Sequence, residues 1–119
     1  MRLRRDADAG LKPRLYFILL SLADGARHGL AIARDVDTLS HGQVRLWPAT
    51  LYSSLDELQD TGWIDEIDDP DERPQESEKR RIFRLSAAGR RVLTSETERL
   101  AALVRVARAR IKPRTGAAS

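Results

Sequence analysis

The sequence predicts a mainly α fold with a small β-hairpin and a long C-terminal helix. Three observations carry this. Apolar residues recur at helical spacing in three successive segments between residues 11 and 61. The period then shortens to that of strands in residues 63–67 (WIDEI) and 81–85 (RIFRL), separated by a charged stretch with two prolines. A last helical stripe begins at Ser86 and runs to about Lys112.

Taken in order, residues 1–10 (MRLRRDADAG) have no apolar period and read as a flexible basic arm. From Leu11, the residues Leu15, Ile18, Leu19 and Leu22 form a stripe that Tyr16, Phe17 and Leu20 widen, so the first helix should be the most buried. Pro13 belongs to its first turn, and Asp24-Gly25 ends it. A second helix is expected over about Gly29–Leu39, with Leu30, Ile32, Ala33 and Val36 inward and His41-Gly42 closing it. Residues 43–47 read as extended. Pro48 opens a third helix, in which Leu51, Leu55 and Leu58 share a face and Gly62 supplies the stop. Ser86 caps the last helix, and Pro113 and a small-residue tail over 113–119 follow it. Three helices, a hairpin and a fourth helix is the plan of a winged helix-turn-helix spanning residues 11–85, with a helix over 86–112 appended. A small α+β domain with the same element order satisfies the pattern too.

A chain of 119 residues has room for one domain. No apolar run approaches the roughly 20 residues that cross a bilayer, and Asp6 and Asp8 interrupt any leader pattern. No membrane partner is therefore expected. The absence of cysteine excludes disulfide scaffolds and thiolate metal sites and fits a cytoplasmic location. With two histidines, no cofactor or metal is expected. The triad Asp68, Asp69 and Asp71 lacks the glycine of a calcium loop. No nucleophile with a partnered base, phosphate-binding loop or framed carboxylate pair is present, so the chain reads as a non-enzyme. Charge is segregated: residues 1–34 hold seven basic and three acidic groups, 35–67 one and seven, and 82–119 nine and two. Basic ends attract phosphates.

The third helix carries Ala49, Thr50, Tyr52 and Ser53 in its first turns and Asp56, Glu57 and Asp60 later. Only the small, hydroxylated start can meet duplex DNA, where Ser and Thr hydroxyls and the helix amides would donate to phosphates. An ordinary amphipathic surface helix satisfies the same spacing. The helix has no Arg or Lys, so the commonest bidentate contact to guanine is missing. Positive charge would come from Lys79, Arg80 and Arg81 on the rising side of the hairpin, and from Arg2, Arg4, Arg5, Lys12 and Arg14. Trp63 is expected beneath the wing, and Trp47 is expected to staple against Leu51.

The segments LLSLADGARHGLAIARDVD, LWPATLYSSLDELQDTGWI and KRRIFRLSAAGRRVL resemble the PadR-type transcriptional regulators. The resemblance covers roughly residues 11–100 and rests on the ordered set Gly25, His28, Gly29, Pro48, Thr50, Leu51, Tyr52, Leu55, Leu58, Gly62, Leu85, Ser86, Gly89 and Arg90. Ala49 stands where Gly is frequent, Ser53 where Pro follows the Tyr, and His28-Gly29-Leu30 replaces His-Gly-Tyr. The resemblance implies a homodimeric cytoplasmic DNA-binding regulator of the short branch, commonly a repressor. The residues expected to bind DNA, read from the third helix, the hairpin and the start of the second helix, are His28, Ala49, Thr50, Tyr52, Ser53, Lys79, Arg80 and Arg81. The resemblance also implies, as in many members, a small aromatic effector, for which either tryptophan offers a flat surface. The last helix agrees: Leu93, Leu100, Leu103, Val104, Ala107 and Ile111 exceed what so small a core buries, and a two-fold mate would cover them; a helix folded back on its own domain is the alternative. The pair Glu96-Thr97 interrupts that stripe, so a regular coiled coil is not expected. The competing reading is a winged-helix protein-interaction module whose acidic 56–72 region meets a basic partner and which binds no DNA.

Overall fold

The computed structural model describes residues 11–68 and 81–113. The basic arm, the loop between the two predicted strands from residue 69 to residue 80, and the tail beyond Pro113 lie outside the described residues. The elements run α1 (Pro13–Ser21), β1 (Arg27–His28), α2 (Gly29–Leu39), α3 (Pro48–Asp60), β2 (Ile64–Ile67), β3 (Ile82–Leu85) and α4 (Ala87–Ile111).

Pro13 at the first position of α1 costs nothing, because its missing N–H would have no helical partner there. The helix buries Leu15, Ile18 and Leu19 and ends at Ser21, whose hydroxyl turns back to the Ile18 carbonyl at 2.7 Å. α2 and α3 contribute Ile32, Val36, Leu51, Leu55 and Leu58, all fully buried. Leu30, expected on the inner face of α2, is exposed. Together with Ile64, Phe83 and Leu93 these residues form one core, on which Trp63, Tyr52 and Tyr16 pack as half-buried neighbours. Gly62 ends α3 with a φ of +81°, a left-handed conformation that a side chain would disfavour. Residues 43–47 form no strand; Leu46 is buried, and the Val44 N–H is held by Ser40 Oγ at 2.9 Å.

The hairpin is joined by a third strand. β3 is the centre of an antiparallel sheet of order β1-β3-β2, with Ile64 opposite Leu85 and Ile67 opposite Ile82 on one side, and Arg27 opposite Phe83 on the other. A two-residue strand has no period to read, which is why sequence patterning offers only the hairpin. The sheet ties the start of α2 to the wing, and the Gly29 N–H donates to the Arg81 carbonyl at 3.0 Å.

Ser86 Oγ accepts the Gly89 N–H at 3.0 Å and caps α4. Gly89 packs so closely on the Trp63 carbonyl that a Cβ there would overlap its oxygen. From this anchor α4 runs over α1. The Tyr16 and Thr97 hydroxyls are 2.8 Å apart, and Glu96 is buried in a double hydrogen bond with Arg99. The pair Glu96-Thr97, an interruption in the apolar stripe, is thus the point at which α4 docks on its own domain.

Candidate nucleic-acid interface

α3 presents two different surfaces. Ala49, Thr50 and Ser53 in its first two turns are exposed, and no charged group precedes Asp56 in the helix. Its amide end starts at Trp47, which sits at the N-cap in extended conformation with no side-chain capping bond. The amides of the first turn are thus left for an external acceptor. Trp47 does not staple onto Leu51: it is 68% exposed, whereas Leu51 is sealed in the core. The extended N-cap backbone carries its side chain off the helical stripe.

Tyr52 flanks the exposed face rather than lying on it. It is half-buried, with its hydroxyl 2.7 Å from where a Cβ of Gly29 would stand. His28, at the N-cap of α2 and in β1, is half-buried beside this junction. The exposed start of α3 thus brings Ala49, Thr50 and Ser53 together, while Tyr52 and His28 belong to the seam between α2 and α3.

The far half of α3 is acidic and is partly neutralised from inside the molecule, at Asp56 and Glu57. Arg81 donates to both Glu66 carboxylate oxygens at 3.1 and 2.9 Å and to Gln59 at 3.3 Å, and it lies 3.6 Å from Asp56. Its guanidinium also stands over the rings of Tyr52 and Phe83, at 5.4 and 5.2 Å from their centroids. The hydrogen bond that it donates to Glu66 is the main reason its pKa is raised, against the opposing pull of burial. Arg81, expected as a free phosphate contact, is therefore spent on holding the wing against α3. Arg14, counted in the N-terminal basic patch, is similarly engaged with Ser54 at 2.9 Å and Glu57 at 3.3 Å. A basic residue beside acids distant in sequence looks free until the fold brings them together. Lys79 and Arg80 lie outside the described residues.

The expected pairing face of α4 divides. Leu93 belongs to the core of its own domain, because the first turns of α4 pack on α1 and the sheet. Leu100 is half-buried, and Leu103, Val104, Ala107 and Ile111 are exposed, together with Val106, which the stripe had not included. An open depression of about 480 Å³ lies between the end of α1 and the sheet, lined by Leu22, Asp24, Arg84, Leu85 and Arg90 among others; neither tryptophan reaches it.

Three helices folded on a small sheet, with the third helix exposed at its amide end and a strand pair beside it, define a winged helix-turn-helix protein. The chain belongs to the PadR-like family of transcriptional regulators, whose family model matches residues 18–95. It is a DNA-binding transcriptional regulator rather than an enzyme. No curated protein sequence matches it. Solved structures share the fold. A transcriptional regulator from Clostridium thermocellum superposes with a TM-score of 0.65 at 20% identity, over 83% of this chain and 90% of that one. A PadR family regulator from Clostridium difficile gives 0.67 at 15% identity, over 82% and 97%. BpsR of Bordetella bronchiseptica, whose DNA binding is regulated by 6-hydroxynicotinic acid, gives 0.65 at 15% identity, over 89% and 71%. Among the described residues no helix is long and apolar enough to cross a membrane.

Proposed function

We propose that the protein is a homodimeric cytoplasmic repressor that binds an inverted-repeat operator in double-stranded DNA. The observation that carries this is the outer half of α4, where Leu103, Val104, Val106 and Ile111 stand in water on a helix that has already left its own domain. A second copy offering the same stripe would cover it about a two-fold axis. Two-fold pairing sets two α3 helices about one turn of DNA apart, about 34 Å, and makes a palindromic site the matching target.

In each half-site Ala49, Thr50 and Ser53 enter the major groove, with Tyr52 and His28 at its rim. Lys79 and Arg80 hold the phosphate backbone from the wing, and Arg81 acts as a positioning residue that screens Asp56 and Glu66 from the DNA. Small aromatic compounds release the operator. The regulation of BpsR by 6-hydroxynicotinic acid supports that reading, and quenching of tryptophan emission on titration with aromatic compounds checks it.

Gel shifts at several salt concentrations, on the promoter upstream of the protein's own gene, test the proposal with sedimentation analysis of the free protein. A dimer and a retarded band that weakens steeply with salt are expected. Ser53→Glu should abolish binding without altering the circular dichroism spectrum, because it places a charge on an exposed position. A monomer at binding concentrations overturns the dimeric reading, and undiminished affinity in Ser53→Glu overturns the choice of helix.

A further inference from the structure

We propose that Trp47 is itself a DNA contact, and that with Ala49 and the Thr50 methyl it gives α3 an apolar leading edge that selects thymine through its C5-methyl group. The inference rests on α3 being the DNA-facing helix.

Of the two tryptophans, Trp63 packs on the core and Trp47 does not: it stands 68% exposed at the very tip of α3. A tryptophan carries the largest apolar surface of any side chain, and leaving it in water forgoes the burial that a partner could provide. Three features make that partner duplex DNA. Pro48, Ala49 and Thr50 continue the exposed surface directly into the helix. The nearest acidic residue of the helix, Asp56, lies nine positions on, so a polyanion can approach. Arg45, two residues before Trp47, is largely exposed and, among the described residues, pairs with Asp37 at 3.6 Å.

The base preference follows from what the tip lacks. Among Ala49, Thr50, Tyr52 and Ser53 there is no Arg, Lys, Asn or Gln, so the bidentate readouts of guanine and adenine are missing; Gln59 sits at the far end, engaged by Arg81. Methyl and aromatic surface with the three hydroxyls of Thr50, Tyr52 and Ser53 remains. On the major-groove floor the thymine methyl is the apolar group that such a surface recognises.

The test uses full-length protein and a fluorescently labelled duplex recovered by it from a random-sequence pool. In a Trp63→Phe variant the only tryptophan is Trp47. Addition of the duplex should quench its emission and shield it from acrylamide, while anisotropy of the label reports binding independently. Unchanged emission with the duplex bound overturns the proposal alone. If no duplex is retained from the pool, the DNA-facing reading of α3 falls with it. A second arm needs no change at Trp63. Replacing the thymines of the duplex by deoxyuridine should weaken binding about fourfold per methyl contact, from about 0.8 kcal/mol per buried carbon. Trp47→Ala should bind the thymine duplex more weakly and show a smaller uracil penalty. An equal penalty in both proteins overturns the thymine reading.

Discussion

The two halves of α4 reverse the usual relation between apolar content and burial: residues 87–99 hold four Ala, Val, Leu or Ile residues and are covered, whereas residues 100–111 hold nine and are not. Its first turns are enclosed: Gly89 lies against the Trp63 carbonyl, Leu93 sits in the core and Glu96 is buried where the helix crosses α1. Beyond Leu100 the same helix continues as Leu103 at 52% exposure and Ile111 at 78%. Apolar content does not decide which half is covered, since the richer half is the one that stands in water. What separates them is reach. A domain of this size can cover about three turns of a helix laid across it, and a 25-residue helix has about seven. The first half therefore reports on folding, and the second is left uncovered, as the proposed dimer requires. The last turn also carries Arg108 and Arg110, which complement the helix dipole and keep that end helical without tertiary support.

If that division is right, equally drastic changes in the two halves give different failures. The largest effect is expected from Leu103→Glu combined with Val104→Glu. Charge at the centre of the proposed two-fold interface would face its own copy, so the proposed dimer should dissociate, with operator affinity falling by more than about 100-fold, the order at stake when a buried apolar contact is replaced by paired like charges. Circular dichroism should show each protomer still helical. Next comes Leu93→Ala, which should cost about 3 kcal/mol of stability by leaving a cavity in the core, read as a shift in the urea midpoint at fixed protein concentration, because the proposed dimerisation would contribute to the apparent stability. A dimer that survives the first change, or a Leu93→Ala protein that melts normally but no longer dimerises, would reverse the assignment of the halves.

The same contrast explains what was legible in the sequence. α2 and α3 appear at Gly29–Leu39 and from Pro48, because stripe, proline and terminal glycine all agree there, and the two longer strands announce themselves by branched and aromatic residues. β1 does not, since Arg27 and His28 become a strand only beside Phe83 and Ile82, more than fifty residues on. Leu93 and Leu103 look alike because periodicity says which face is apolar and not what covers it. Trp47 stands off the apolar stripe because an N-cap residue lies outside the 3.6-residue period of the helix it precedes. Arg81 read as one of a basic run, whereas hairpin register brings Glu66 beside it and the packing of α3 brings Asp56. The exposed tip of α3 was legible for the reason that its buried face was: Leu51, Leu55 and Leu58 leave Ala49, Thr50 and Ser53 only one way to point.

The smallest effect is expected at the boundary between the halves. The Glu96 carboxyl is held below the usual glutamate range mainly by the hydrogen bond from Arg99, with the Arg99 charge and the Leu11 N–H adding to it and burial opposing. A carboxyl whose pKa is depressed by folding stabilises the folded state at neutral pH, and that contribution disappears as the pH falls through the folded-state pKa. Wild type and Glu96→Gln should therefore differ most near neutrality and converge in acid, as compared by urea midpoints across that range. The difference should stay well below that of Leu93→Ala, because Arg99 is half exposed and its pairing is screened by water. A gap that keeps its size into acid would trace the loss to the Leu11 contact and packing rather than to charge. A gap as large as that of Leu93→Ala would move the boundary of the enclosed half outward, past Glu96 to Leu100.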